Sequence, residues 1–192
     1  MLDYRSGPLL GWQPDPNFTI VETSGFRGHP PLLAAKFRYV NLVYDDAAEH
    51  GLLGDVQRLP IKDRSVDVVL SADVFEHVRD DTAGFAEVYR ILKDNGFFLL
   101  QVPALGDADR TRVLVDASGP EDVYLAPPEY HEPHSLVYRY YGNDLADRLR
   151  LLGFQVLLLR AQIPAHEVHQ QTILIAQKAA GLSLGLIRGS GP

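Results

Sequence analysis

Three of the seven histidines of this sequence are candidates for proton transfer near neutral pH: His77, His131 and His134. A neutral imidazole can accept a proton from a hydroxyl group at physiological pH, which makes each of them a candidate general base. His77 follows Glu76, whereas the other two lie in "YHEPH" within a long irregular segment. Each ring could instead hold a turn through a hydrogen bond, so the catalytic and structural interpretations both stay open.

A second set of candidates consists of polar residues that end or follow the apolar runs of the chain. The carboxyl ends of parallel strands meet at one edge of a sheet, and ligands of open α/β sheets bind there. Polar side chains at these positions could therefore converge on one ligand, although each could also be a turn acid, a solvated loop acid or a helix cap. The set comprises Asp45 with its neighbour Asp46, Ser71 and Asp73, and Asp55 lies inside a short extended piece.

Two further patterns suggest other chemistries. "HEPH" at 131–134 and "HEVH" at 166–169 space their histidines by three, whereas the zinc-protease motif spaces its ligands by four on a helix. We therefore expect no metal site. "YRILK" places Tyr89 four residues before Lys93, as in short-chain dehydrogenases, but Tyr89 shares a helical face with Phe85. That face predicts packing on the sheet rather than redox chemistry.

The elements that must position these residues alternate along the chain. Helices are predicted at 30–37, at 80–93 with Asn95-Gly96 closing it, and at 143–152 with an Asn or Asp cap and Gly153 as its stop. The alternation predicts an α/β fold with a parallel sheet covered on both faces. Apolar, β-branched runs predict strands at 18–23, 38–46, 65–74, 97–103, 154–160 and 172–178, and 52–61 is predicted to be a short strand or an extended piece.

Length and composition limit the classes of protein. The 192 residues are 46% hydrophobic and 22% charged, which predicts one globular domain over 18–178 between an irregular lead-in, 1–17, and a tail, 179–192. A net charge of −7 without a basic cluster argues against nucleic acid as a partner. No cysteine, signal peptide or long apolar run is evident, so we expect a cytoplasmic protein without membrane contact. The stretch 104–134 is long for a connection and predicts a lid or insertion.

Several short motifs follow one another between residues 54 and 103. They read acid-x-x-x-Leu-Pro, Asp-x-Ser-x-Asp, Glu-His and Arg-x-Leu-Lys-x-x-Gly, and "PPEYHEPHSLVYRYYGNDLADRLRLLGFQV" adds a matching C-terminal part. In this order and spacing they resemble the class I S-adenosylmethionine-dependent methyltransferases, especially the type-11 methyltransferase domain family. The resemblance covers roughly residues 18 to 178.

This resemblance implies a Rossmann-like class I methyltransferase fold, with a mostly parallel seven-stranded sheet, a last antiparallel strand and helices on both faces. It implies that S-adenosylmethionine lies across the carboxyl ends of the first strands. Asp45 would accept hydrogen bonds from the ribose hydroxyls. Asp55 would accept the adenine amine, and Val56 would flank the ring. Ser71 and Asp73 would face the methionine end and the substrate.

The first loop departs from the family pattern, in which an acid precedes Gly-x-Gly-x-Gly. Aligning Glu22 with the acid places Ser24, Phe26 and Gly28 at the glycine positions, with Gly25 between them. One glycine of three remains, and Phe26 stands where the backbone usually approaches the cofactor. The loop is located by its spacing, but its competence to bind stays open.

The sequence thus predicts an S-adenosylmethionine-dependent methyltransferase that acts on a small molecule, with oxygen as the expected acceptor. The alternative is a catalytically inactive methyltransferase-like domain that serves as a binding or scaffold subunit. The short lead-in leaves room for a homodimer in which a second subunit covers the pocket. The expected cofactor-binding residues are Glu22, Ser24, Gly25, Gly28, Asp45, Asp55, Val56, Ser71 and Asp73, and the candidate catalytic residues are His77, His131 and His134.

Overall fold

The computed structural model describes residues 11–23, 30–44, 51–103, 105–131, 134–163 and 168–179. Within them, the helices are α1 (Pro30–Ala34), α2 (Asp81–Ile91) and α3 (Leu145–Leu151), and a short 3-10 turn spans Phe75–His77. The strands are β1 (Asp15–Thr23), β2 (Phe37–Val43), β3 (Leu52–Leu53), β4 (Val66–Ala72), β5 (Leu92–Gln101), β6 (Arg112–Val113), β7 (Val115–Asp116), β8 (Val123–Tyr124), β9 (Tyr130–His131), β10 (Ser135–Leu136), β11 (Arg139–Tyr140), β12 (Phe154–Ile163) and β13 (Val168–Lys178).

Seven of these strands form the central sheet, in the order β12-β13-β5-β4-β1-β2-β3. The five strands from β3 to β5 pair in parallel, whereas β13 runs antiparallel to both of its neighbours. The prediction of a mostly parallel seven-stranded sheet with an antiparallel last strand is therefore confirmed. The most central strands, β4 and β1, bury Val66, Val69, Ile20 and Val21 almost completely, as expected for parallel strands covered on both faces.

Helix α2 packs its predicted face on the sheet but ends earlier than expected. Asp80 caps it by accepting a hydrogen bond from the Ala83 amide at 3.0 Å. The predicted stop at Asn95-Gly96 is wrong, because β5 already begins at Leu92. The Leu92 side chain is fully buried in the sheet, and Leu92 pairs with Val66 of β4. Burial of the Leu92 side chain in the sheet replaces the last helical turn.

Helix α3 also differs from the prediction in its cap. Asp144 occupies the N-cap position, but its carboxylate makes no cap hydrogen bond. It accepts instead from the amide and the hydroxyl of Thr111, both at 2.8 Å, and thereby ties the helix to the segment before β6. Gly153 ends the helix with a φ of +100°, as its position in the sequence predicts.

The dehydrogenase-like pair does not meet, in agreement with the packing interpretation. The Tyr89 ring lies edge-on to Phe154, with 4.9 Å between the ring centroids, and the Lys178 ammonium group lies over it. Lys93 pairs with Asp67 at 2.6 Å instead.

Within the residues that the structure describes, no helix has the length and apolar composition needed to cross a membrane.

The predicted stretch 104–134 folds together with residues 135–140 into short antiparallel pairs, β7 with β8, β9 with β10 and β6 with β11. We call its described residues, 105–131 and 134–140, the insertion. It has a small apolar core of its own, in which Leu114, Val115 and Val137 are almost fully buried. The insertion is joined to the sheet by hydrogen bonds around the 3-10 turn and by a buried group of charges at the start of α2.

That buried group is centred on Asp81. Its carboxylate accepts hydrogen bonds from Arg148 and from the Tyr141 hydroxyl, each at 2.7 Å, and the Arg139 guanidinium lies 3.5 Å away. Burial alone would raise the pKa of Asp81, but the hydrogen bond from Arg148 and the charges of both arginines outweigh it. The pKa of Asp81 therefore lies below its ordinary value of 3.8.

Asp81→Asn keeps the shape of the side chain but removes the counter-ion of two arginines. We expect the free energy of unfolding at pH 7, measured by urea denaturation, to fall by about 3 kcal/mol, as when one partner of a buried ion pair is lost. The folded-state pKa of Asp81 lies below its unfolded value. The contribution of the Asp81 carboxylate to the free energy of unfolding is therefore complete above about pH 4 and is lost as the pH falls through the folded-state pKa.

The matched control is Asp147→Asn. Asp147 pairs with Arg150 at 2.7 Å, but its side chain is 76% exposed. Such a pair contributes about 0.5 kcal/mol. Equal losses in the two variants would contradict the role assigned to Asp81.

Candidate functional site

The carboxyl ends of β1 and β4 form one polar edge. Thr23 lies opposite Ser71 in the parallel pairing of the two strands, and its hydroxyl donates to the Ser71 hydroxyl at 2.8 Å. Glu22 is 6% exposed and accepts a hydrogen bond from the Tyr39 hydroxyl at 2.6 Å. Burial and then the Glu22 carboxylate raise the pKa of Tyr39 well above its ordinary range. Tyr39 therefore stays a donor, and it fixes the carboxylate at the strand end.

Beyond β4 the chain turns sharply at Asp73. This residue has a φ of +52°, in the left-handed region, and its amide donates to the Gln101 carbonyl at 3.2 Å. The turn leaves Asp73 exposed at the carboxyl edge and leads directly into the 3-10 turn.

Asp55 lies in a tight turn after β3. Its carboxylate accepts from the backbone amide of Gln57 at 2.8 Å and from the side-chain amide of Gln57. The Gln57 carbonyl oxygen accepts in turn from the Asp80 amide at 2.9 Å. Val56, between them, is 6% exposed and belongs to the main core. The turn thus holds Asp55 in a fixed, half-buried position and links it to the start of α2.

The remaining predicted cofactor residues, Ser24, Gly25, Gly28 and Asp45, lie outside the described residues. Their proposed roles therefore stay predictions.

The structure brings two of the three candidate histidines together around a glutamate. The Nε2 atom of His77 lies 3.6 Å from Oε1 of Glu76, and the Nδ1 atom of His131 lies 3.8 Å from the same oxygen. The two imidazole rings meet edge to face, with 5.0 Å between their centroids. We call these three residues the Glu-His-His cluster. His134 is exposed and is not part of it.

Glu76 is the member of the cluster that sequence reasoning did not select as a site residue. Its side chain is 1% exposed, and neither carboxylate oxygen has a hydrogen-bond partner among the described residues. The pKa of Glu76 is raised to about 7: burial raises it most, its own backbone amide, which is near the carboxylate but outside hydrogen-bond geometry, lowers it, the Asp73 charge raises it and His131 lowers it. The sequence signal was the Glu-His pair itself, whose glutamate carried no candidate role.

The cluster is held by the 3-10 turn on one side and the insertion on the other. His77 donates from Nδ1 to the Leu136 carbonyl at 2.9 Å, since a carbonyl can only accept. The Tyr138 amide donates to the Glu76 carbonyl at 2.8 Å. Phe75 stacks on Phe85 of α2, with 4.4 Å between the ring centroids, and fixes the turn against the core.

Arg139 makes a further connection between the 3-10 turn and the insertion. It is 7% exposed and donates to the carbonyls of Val78 and, at 2.8 Å, of Arg79, directly after the 3-10 turn. Because Arg139 begins β11, this one side chain clamps the insertion onto the end of the turn that carries Glu76 and His77.

A surface groove of about 520 Å³ lies between the start of α2 and the insertion, but no cluster residue lines it. Its arginines are already engaged: Arg79 with Asp122 at 2.8 Å, Arg148 with Asp81, and Arg139 with backbone carbonyls. The groove therefore offers no unpaired arginine to an anionic ligand.

The strand order, the parallel strands from β3 to β5 and the reversed β13 define a class I methyltransferase fold, with the polar edge and the cluster at the carboxyl ends of its strands. A comparison with protein families agrees: residues 35–100 match the family described as "Methyltransferase domain". The resemblance to the class I S-adenosylmethionine-dependent methyltransferases is therefore confirmed.

Curated relatives point in the same direction. Malonyl-[acyl-carrier protein] O-methyltransferase of Serratia marcescens is 37% identical over 60 residues, 31% of this chain and 24% of that protein. A protein of Encephalitozoon cuniculi that is named as a methyltransferase is 35% identical over 117 residues, which are 58% of this chain and 55% of that protein. The matches thus span about half or less of the relatives' length.

Solved structures share the fold at low identity. One is a complex of the Haloferax volcanii Trm112 methyltransferase activator with a protein named as a methyltransferase. It has a TM-score of 0.60 at 16% identity, over 91% of this chain and 88% of that chain. Burkholderia thailandensis 1,6-didemethyltoxoflavin-N1-methyltransferase, with bound 1,6-didemethyltoxoflavin and S-adenosylhomocysteine, has a TM-score of 0.58 at 17% identity, over 87% and 72% of the two chains.

The hydrogen bond to Leu136 fixes the tautomer of His77. We expect neutral His77 to carry its proton on Nδ1, the atom that donates to the Leu136 carbonyl, and a lone pair on Nε2. Long-range proton–nitrogen NMR of the chain, with metal ions removed by a chelator, measures the position of this proton directly, and the exposed His134 provides the reference signal. A proton on Nε2 of His77 would show that the bond to Leu136 is not made.

Proposed function

We propose that the protein transfers a methyl group from S-adenosylmethionine to a small molecule, with oxygen as the acceptor atom. The observation that carries the proposal is the position of the Glu-His-His cluster. It follows the end of β4 by a few residues, beside the polar edge at which a cofactor of this fold would lie. An acceptor over that edge would lie between the cofactor and two imidazoles.

The donor and acceptor groups at the edge fit such a cofactor. The Glu22 carboxylate has acceptor positions beyond the one that Tyr39 uses, and the half-buried Asp55 is held at the edge of the sheet with an exposed flank. These side chains can accept from hydroxyl and amine groups, while Ser71 and Asp73 would meet the amino-acid end. Ser24, Gly25, Gly28 and Asp45 complete the proposed site.

When bound, the cofactor supplies an activated methyl group on its sulfonium. The chain must then orient the acceptor oxygen, remove its proton and exclude water. His131 is suited to accept the proton, because its side chain is 39% exposed and can reach a ligand, while the more buried His77 is held by Leu136. His134, exposed in the insertion between β9 and β10, stays a second candidate base.

One observation favours the alternative of an inactive binding domain. Tyr39 and Gln57 already supply hydrogen bonds to Glu22 and Asp55, so both carboxylates are stabilised without a cofactor. A domain that had lost the cofactor could keep its fold for this reason. Direct binding measurements separate the two functions.

Calorimetric titration with S-adenosylhomocysteine tests the cofactor site. We expect binding by the unaltered chain and a tenfold or greater loss of affinity in Asp55→Ala and in Asp45→Ala, because a hydrogen bond to a charged group contributes about 1.5–3 kcal/mol. Asp147→Asn on α3 is the matched control and should bind unchanged. No heat at millimolar ligand would favour the inactive domain, and unchanged affinity in both alanine variants would place the site elsewhere.

The acceptor atom can be tested by product formation. We expect S-adenosylhomocysteine release in the presence of some members of a panel of small alcohols, phenols and carboxylic acids, and a decrease of about 100-fold or more in kcat for His131→Ala on any accepted compound. Turnover confined to amines would contradict oxygen as the acceptor. His134→Ala shows whether the loss belongs to His131 in particular.

A further inference from the structure

The Glu-His-His cluster contains more ligand atoms than a general base requires. One carboxylate oxygen and two ring nitrogens all lie within 4.8 Å of one another, on the 3-10 turn and on β9. We propose that Glu76, His77 and His131 bind a divalent transition metal ion, with Zn²⁺ as the best match. This departs from the expectation drawn from sequence spacing, because the three ligands come from two distant segments.

The separations fit two ligands of one ion better than two partners of one hydrogen bond. A hydrogen bond between an imidazole nitrogen and a carboxylate spans about 2.7–3.2 Å, whereas the observed distances are 3.6 and 3.8 Å. Tetrahedral zinc with bonds of about 2.0–2.1 Å separates its ligands by about 3.4 Å. The two distances to Glu76 need to shorten by only a few tenths of an ångström. The two ring nitrogens lie within 4.8 Å of each other, so a rotation of the half-exposed His131 ring would have to bring them to about 3.4 Å.

The surroundings of His77 are those of a metal ligand. Its Nδ1–H donates to the Leu136 carbonyl, so the lone pair of Nε2 points toward the Glu76 side of the ring. Histidines that bind metals commonly donate their other ring N–H to a backbone carbonyl, which fixes the tautomer and the orientation.

The Glu76 carboxylate supplies an independent indication. It is 1% exposed and lacks a hydrogen-bond partner among the described residues, although one ring nitrogen of each imidazole lies 3.6 or 3.8 Å from its Oε1. A buried, unpaired carboxylate is costly. A cation between the three groups would satisfy all of them at once.

The chemistry of the ligands selects the type of ion. Two imidazole nitrogens suit zinc, copper, iron or nickel, whereas magnesium and calcium prefer oxygen ligands alone. Three protein ligands would also leave a fourth position of a tetrahedral ion open, as in catalytic zinc sites.

The open position suggests which small molecules bind, an extension that rests on the proposed methyl transfer. An acceptor hydroxyl or carboxylate bound to the ion would be oriented by it, and the ion would lower the pKa of a bound hydroxyl. His131 would then serve as a ligand, and the proton would leave to solvent.

Calorimetric titration of the metal-stripped full chain with ZnCl₂ tests the site. We expect one ion per chain and a loss of affinity of more than about 100-fold in His77→Ala and in His131→Ala, since even changes to groups behind a ligand cost about 10- to 100-fold. Glu76→Gln, which keeps the shape but removes the charge, should weaken binding as well. His134→Ala is the matched control and should bind as the unaltered chain does.

Cobalt provides a second readout. Co²⁺ at the site should give the strong visible absorption of a four-coordinate ion, which His131→Ala abolishes. His131 is half-exposed, so this variant should keep the fold, and circular dichroism checks that it does. Absence of Zn²⁺ binding at millimolar metal, or equal losses in His131→Ala and His134→Ala, would overturn the proposal.

The outcome does not depend on the cofactor. Zinc binding without S-adenosylhomocysteine binding would leave the metal site standing and remove the methyltransferase proposal. Cofactor binding without zinc binding would remove the metal site and leave the methyltransferase proposal standing.

Discussion

The buried guanidinium of Arg139 connects the insertion to the 3-10 turn and to the start of α2. It satisfies carbonyls at the end of the 3-10 turn and lies beside Asp81, whose carboxylate also binds Arg148 and Tyr141. A buried cation is tolerable only with such partners. Because Arg139 belongs to the insertion and Asp81 to the start of α2, the charge requirement joins two segments far apart in the chain. The position of His131 relative to the turn depends on that junction.

The sheet provides the other half of the positioning. Parallel pairing sets Thr23 beside Ser71 and ends β1 and β4 at one edge. The left-handed conformation of Asp73 then directs the chain from this edge into the 3-10 turn. Strand-end polar groups and the Glu-His-His cluster are therefore neighbours for a topological reason, as in other open α/β sheets, in which ligands bind outside the carboxyl ends of the strands.

The elements that bury apolar faces could be predicted from sequence, whereas those decided by tertiary contacts could not. The central strands and the face of α2 were visible as apolar patterns. The end of α2 depended on burial of Leu92 opposite Val66, and the role of Asp144 depended on Thr111, a residue outside its helix. In the same way, His77 and His131 could be selected one by one as bases, but their meeting at Glu76 required the folded insertion.

The carboxylates of the site differ in one respect that matters for function. Tyr39 donates to Glu22 and Gln57 donates to Asp55, so the chain itself fixes both acids in place. Glu76 is more deeply buried than Asp55 yet receives no hydrogen bond from the described residues. Glu22 and Asp55 are therefore stabilised by donors of the chain itself, whereas the cation proposed above would neutralise the buried Glu76 carboxylate and satisfy its oxygens.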